Sequence, residues 1–193
     1  QLCNPNNPTG RLLEPRALEA FCRRVAPRAT VLVDEAYNEL TLDPAANSVL
    51  GLVREGLDVI VARTFSKIYG MAGMRIGYMI SSPENIALIK RHQMSWMSAP
   101  AVAAAVAAFN DHQFLAYSKA RVLEARELIE AKLREVGLEH LPSEANFLYV
   151  KVPGGAEGFR QKMEARGILV RGAYGEYTEW SRVSMGRLED VER

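Results

Sequence analysis

Lys67 stands in Thr64-Phe65-Ser66-Lys67-Ile68-Tyr69, just after the apolar run Asp58-Val59-Ile60-Val61-Ala62. A lysine that loses hydration among aromatic and aliphatic neighbours is driven toward the neutral amine, which condenses with aldehydes. Most loop lysines are solvated charges, so the residue needs company to mean more. Thr64, Ser66 and Arg75 supply two hydroxyls and a guanidinium around the same Gly-punctuated loop, a donor set suited to a phosphate. Ordinary turn bonding plus a surface arginine explains those three equally well when taken alone. Asp34 closes the β-branched run Thr30 to Val33. It either caps the next helix or stays ionised to pair with a buried cation. Tyr37 lies three positions on and brings a phenol within reach if that segment is helical. An aldehyde for Lys67, a phosphate for Thr64, Ser66 and Arg75, and a pyridinium nitrogen for Asp34 together describe pyridoxal phosphate.

These residues need rigid elements to hold them. Thr30–Val33 and Asp58–Ala62 read as strands buried on both faces, with Tyr78–Ile80 as a third apolar run. Leu13–Val25 and Asn47–Glu55 carry helical patterning between them. Strands that alternate with helices predict an α/β fold with a mostly parallel sheet, in which ligands gather at the strands' carboxyl ends. Asp34 and the Thr64–Lys67 segment both sit just past such ends. After Pro83 the character changes. Residues 84–97 are expected to be helical, and Ala101–Val136 a long helix with a break near Asn110 and a stop at Gly137. Asn146–Val152 alternates as a strand, Phe159–Arg166 reads as a helix, and Ile168–Arg171 and Arg182–Met185 as two further strands. That order predicts a small α+β domain over 111–193 beside a large-domain portion over 1–110.

Four motifs stand in a telling order: Asn4-Pro5-Asn6-Asn7-Pro8-Thr9-Gly10, Asp34-Glu35-Ala36-Tyr37, Thr64-Phe65-Ser66-Lys67 and Arg75-Ile76-Gly77. In this the chain resembles the fold-type I, class I/II aminotransferases, with closest likeness to the histidinol-phosphate aminotransferase branch. The resemblance implies that Lys67 holds pyridoxal phosphate covalently and later moves the proton. It implies that Asp34 pairs with the ring nitrogen, that Asn7 and Tyr37 bond the ring's phenolic oxygen, and that Thr64, Ser66 and Arg75 hold the phosphate. Trp180-Ser181-Arg182-Val183-Ser184-Met185-Gly186 is similar to the segment whose arginine grips the substrate carboxylate, which makes Arg182 the clamp. Asn146 resembles a position near the substrate, though a strand-end asparagine bonding backbone fits almost as well. Arg171 would bind a substrate phosphate or acidic tail, with a solvated arginine an equal reading. The implied reaction is transamination between an amino acid or amino-alcohol phosphate, with histidinol phosphate one candidate, and a 2-oxo acid. A lyase or decarboxylase on the same cofactor, or an inactive fragment, are the competing readings.

Composition narrows the rest. The 193 residues are 48% hydrophobic and carry a formal net charge of +1 with mixed signs, so no polyanionic partner such as nucleic acid is expected. Cys3 and Cys22 form neither a disulfide framework nor a metal cluster, which suits a reducing cytoplasm. The run Ala99–Phe109 is too short to span a bilayer. His92, His112 and His140 take no role, and Met71 and Met74 are read as loop packing. Both ends, QLCNPNN and Asp190-Val191-Glu192-Arg193, look interrupted, the first at the end of a strand and the second at the opening of a helix. The expectation is therefore a piece of a longer enzyme, a homodimer when full length. The amino-terminal half of its large domain would be absent here, and apolar surface would be exposed.

Overall fold

A computed structural model describes residues 1–191. The chain divides into two compact units, Gln1–Pro5 with Leu13–Ser118, and Asn6–Leu12 with Lys119–Arg193.

The first unit is built on a four-stranded sheet in the order β1 (Leu2–Cys3), β2 (Val31–Asp34), β3 (Val59–Thr64), β4 (Gly77–Ile80). β1, β2 and β3 run parallel, with Val33 opposite Val61 and Asp34 opposite Ala62, and β4 is antiparallel to β3. The sheet is thus mostly parallel, as expected, with one antiparallel edge. Val31, Val33, Val59 and Val61 are buried, and each contributes roughly 1.5–3 kcal/mol relative to exposure. They pack with Leu18 and Cys22 of α1 (Pro15–Val25) and with Val49 and Leu52 at α2 (Leu50–Arg54). The start of α1 is fixed by sequence: the Glu14 carboxylate accepts from the Arg16 and Ala17 amides, and Pro15 occupies the first turn, where its missing N–H costs nothing.

α3 (Pro83–Arg91) begins at Ser82, whose hydroxyl accepts from the Asn85 amide. It ends at Arg91, six residues short of the expected end. Residues 92–97 are not helical, and the next helix, α4 (Ala99–Asn110), starts afresh with Pro100 in its first turn. The expected break near Asn110 is present, and α5 (His112–Glu135) follows it.

The second unit pairs β5 (Phe147–Lys151) antiparallel with β6 (Trp180–Ser184). Leu148, Val150 and Val152 turn one way and, with Ala156 of α6 (Gly155–Glu164), pack on Ile129, Leu133 and Phe159. Phe147, Tyr149 and Lys151 turn the other way, opposite Ser184, Arg182 and Trp180. Segment 6–12 belongs here: the Gly10 amide donates to the Asn6 carbonyl at 2.7 Å, and the Glu144 amide donates to the Gly10 carbonyl at 2.8 Å. Gly10 has φ +73°, and a Cβ there would collide with the Ser143 side chain. No β-carbon-bearing residue fits that approach without displacement. The strand expected over Ile168–Arg171 does not form: the segment is irregular, and Leu169 is 84% exposed. The helix expected over Phe159–Arg166 begins earlier, at Gly155. The short α7 (Leu188–Val191) matches the expected helical opening; Glu192 and Arg193, the rest of that expectation, lie outside the described residues.

Candidate active site

β2 and β3 end side by side, and their ends make the site. The Glu35 amide donates to the Ala62 carbonyl at 2.8 Å, extending the parallel ladder one step beyond Asp34. On the other side of β2, the Asn4 amide donates to the Asp34 carbonyl at 2.9 Å. The backbone of Asp34 is therefore held from both neighbouring strands. One oxygen of its carboxylate accepts from the Ala36 amide at 3.1 Å, a local Asx turn. The second oxygen is left to other partners.

Past β3 the chain turns sharply. The Phe65 amide donates to the Ile76 carbonyl, the Met71 amide to the Phe65 carbonyl, and the Gly70 amide to the Lys67 carbonyl. Phe65, Ile68 and Tyr69 are buried and pin the loop, with Phe65 in ring contact with Tyr69 and Tyr78. Lys67 is half-buried, not fully enclosed as its neighbours suggest from sequence alone. Its ammonium nitrogen lies 5.1 Å from the centroid of the Tyr37 ring, within cation–π range. Tyr37 itself is buried and precedes a single 3₁₀ turn, Asn38–Leu40, so it arrives through a turn and not through the helix considered from sequence. Thr64 Oγ1 accepts from the Ser66 amide at 3.0 Å. Arg75 is exposed, donates to the Ala72 carbonyl at 2.8 Å, and adopts φ +54°, the left-handed region that non-glycine residues rarely enter.

Asp34, Thr64, Ser66, Lys67 and Arg75 line one cavity of about 380 Å³, whose wall also includes Leu32, Ala62, Arg63 and Met79. That volume falls within the range of small-molecule sites. The lining offers an anionic acceptor, an amine, two hydroxyls and a guanidinium. Such a donor set fits a flat, cationic-nitrogen ring bearing an aldehyde and a phosphate. Among the described residues no group of His, Cys, Asp and Glu is arranged to hold a metal.

Asn7, Asn146, Arg171 and Arg182 belong to the second unit. Arg182 Nη1 donates to Asn7 Oδ1 at 2.9 Å, and its guanidinium lies 4.9 Å from the Phe147 ring and 5.7 Å from the Tyr174 ring. Arg182 Nε is shielded from solvent and has no protein acceptor among the described residues. Arg171 places its guanidinium 4.4 Å over the Tyr174 ring, and with Arg182 it borders a cavity of about 640 Å³. The Asn146 main-chain carbonyl accepts from the Met185 amide at 2.9 Å.

Two residues of the first site were not singled out from sequence. Arg63 lines the cavity, and Glu35, fully buried beside Asp34, accepts from Arg63 Nη2 at 2.8 Å and Nε at 3.1 Å. The signal was present: an acid directly after Asp34, and an arginine interrupting the apolar run of β3.

The chain and its fold are similar to known proteins. The family model for aminotransferases of class I and II matches residues 1–193. The chain is 39% identical over 188 residues to histidinol-phosphate aminotransferase 1 of Dechloromonas aromatica, covering 96% of this chain and 51% of that protein. It is likewise 39% identical over 176 residues to the aromatic amino acid aminotransferase of Mycolicibacterium vanbaalenii, covering 91% of this chain and 50% of that one. The crystal structure of histidinol-phosphate aminotransferase from Sinorhizobium meliloti in complex with pyridoxal-5'-phosphate superposes with a TM-score of 0.89 at 30% identity, covering 99% of this chain and 54% of that one. The chain spans about half the length of the relatives it matches.

Proposed function

The chain belongs to the class I and II aminotransferases, and from that premise we propose that the protein transfers an amino group from a primary amine donor to a 2-oxo acid, with pyridoxal phosphate as cofactor. The observation that carries this reading is the shared cavity: Asp34, Thr64, Ser66, Lys67 and Arg75 converge at the carboxyl ends of two parallel strands. When bound, the cofactor supplies an electron-accepting ring that stabilises negative charge on the substrate carbon.

The chain's own residues do the rest. Lys67 would hold the cofactor through its ε-nitrogen and, once released, carry a proton between the substrate carbon and the cofactor. Its placement over the Tyr37 ring keeps the amine in one region while allowing it to swing. Asp34, its backbone fixed from both sides, would present an anionic oxygen to the ring nitrogen and keep that nitrogen protonated. Thr64, Ser66 and Arg75 would take the phosphate, hydroxyls by donation and guanidinium by charge. Asn7 and Tyr37 would bond the ring's phenolic oxygen. Arg182 would grip the substrate carboxylate through its guanidinium, with Asn146 near the substrate. Anchoring the carboxylate selects which bond at the α-carbon stands perpendicular to the ring, and that geometry decides between transamination and decarboxylation.

The donor class we propose carries a ring: histidinol phosphate or an aromatic amino acid, the substrates in the names of the relatives, with Arg171 available to a phosphate or acidic tail. We further propose that the full-length protein works as a homodimer. The test is a panel of amino donors run on the full-length polypeptide with and without 2-oxoglutarate. The reading expects ring-bearing donors to be converted only when the 2-oxo acid is present, and Arg182→Ala to raise KM for carboxylate-bearing donors at least tenfold, the scale of one lost charge-assisted contact. Release of carbon dioxide without need for a 2-oxo acid would replace transamination by decarboxylation.

A further inference from the structure

The first unit contains a polar knot that none of the proposed chemistry uses. The Glu35 side chain is fully buried. Its carboxylate accepts from Arg63 Nη2 at 2.8 Å, Arg63 Nε at 3.1 Å, the Val49 amide at 2.9 Å and the Ser48 hydroxyl at 2.9 Å. Arg63 Nη2 also donates to Ser48 Oγ at 3.0 Å, and Glu39 stands 3.9 Å from Arg63 Nη1. A pair of this kind is costly to desolvate, and well-packed apolar residues of equal volume would stabilise the fold as well or better. What apolar packing lacks is direction. Here two donors of one planar guanidinium converge on a single Glu35 oxygen while Val49 and Ser48 hold the other, so the carboxylate is fixed in distance and direction.

The location gives direction a use. Glu35 directly follows Asp34 at the end of β2, and Arg63 directly precedes Thr64 at the end of β3. The Arg63–Glu35 contact therefore spans the two strand ends that carry the carboxylate and the first hydroxyl of the cavity, and Ser48 and Val49 tie the loop before α2 to the same point. We propose that Glu35, Arg63 and Ser48 form a positioning device that sets the spacing and twist between Asp34 and Thr64, so that both meet one bound molecule. The inference rests on the reading of the cavity as a pyridoxal phosphate site. Glu35 acts through Asp34 and Thr64 and touches no reacting atom.

The experiment measures cofactor binding, not turnover, on the full-length polypeptide stripped of cofactor. Pyridoxal phosphate is titrated by absorbance, and the circular dichroism induced in the bound cofactor's visible band reports its orientation. Glu35→Gln keeps the shape but sets an amide donor against either the Arg63 guanidinium or the Val49 N–H. Ser48→Ala removes only the bridging hydroxyl and is the variant least able to disturb folding. Positioning predicts that Glu35→Gln weakens cofactor affinity about tenfold or more and Ser48→Ala about threefold, the scale of one or two lost hydrogen bonds, each with altered induced dichroism. Where Glu35→Gln does not fold, Ser48→Ala decides by the same two readouts. Folded variants that bind within twofold of the parent, with unchanged dichroism, overturn the inference while leaving the cofactor reading standing. A parent protein that binds no pyridoxal phosphate overturns both.

Discussion

Arg75 is the residue at which stability and the proposed chemistry pull apart. Its φ of +54° costs roughly 1 kcal/mol for a residue with a β-carbon. The left-handed turn points the backbone so that Ile76 can accept from Phe65 and close the loop around Lys67. Arg75→Gly should therefore raise stability by up to about 1 kcal/mol, or leave it unchanged, while weakening pyridoxal phosphate binding by at least tenfold through loss of the guanidinium. Thermal unfolding of the cofactor-free protein and a cofactor titration separate the two effects. A variant that is destabilised yet binds normally would show the guanidinium to be structural. At this scale much was legible in the chain. Lys67, Asp34, Thr64, Ser66 and Arg75 were identifiable because each is a polar group set against an apolar strand or loop, and the structure lines one cavity with them. The position of Glu35 directly after Asp34 was visible but its burial was not, because a buried acid and an N-cap or surface acid look the same until its partner Arg63, 28 residues away, is known.

At the scale of elements, β2 and β3 followed from their β-branched runs, and α1 from the helical spacing of its apolar residues. Failures came where an element depends on a neighbour. Ile168–Arg171 has the apolar content of a strand, but a strand requires a ladder partner. β5 pairs with β6 on one side and is bridged by His140 at Val150 on the other. Residues 92–97 failed differently: their polarity suits a helix, but Pro100 sets a new helix start and the turn before it must open. Gly10 tests the element that the Asn-Pro-rich motif builds. With φ +73° and Ser143 pressed against its α-carbon, Gly10→Ala should cost about 2–4 kcal/mol, combining strain at positive φ with overpacking. It should also loosen the Asn7–Arg182 hydrogen bond, which lies in the same unit. Chemical denaturation checks the first effect. The second would appear as weaker binding of carboxylate-bearing donors with less change in cofactor affinity, and an unchanged denaturation midpoint would contradict the packing argument.

At the scale of the whole molecule, the chain covers about half the length of the relatives it matches, and it exposes large apolar side chains in one stretch. Met94 and Trp96 are almost entirely exposed, and Met97, Val106 and Phe109 are more than half exposed. Exposed apolar area of this kind drives association, and a net charge of +1 offers little repulsion against it. The 193-residue polypeptide on its own is expected to self-associate at micromolar concentration, and Met94→Lys with Trp96→Lys should suppress this. Light scattering across a dilution series reads the outcome, and a monodisperse monomer would contradict the expectation. Sequence could announce this exposure only in outline, because apolar residues look alike in a sequence whether they meet a partner or water.

The central claim is that Lys67 and Asp34 serve one aromatic cofactor, and trapping tests it most directly. The full-length polypeptide is loaded with pyridoxal phosphate, reduced with borohydride, digested and mapped by mass spectrometry, alongside an Asp34→Asn variant. The account predicts a phosphopyridoxyl adduct on the peptide containing Lys67, absent from Lys67→Ala, and a shifted visible band before reduction in Asp34→Asn. An adduct on a different lysine, or a band in Asp34→Asn identical to that of the parent, would contradict it.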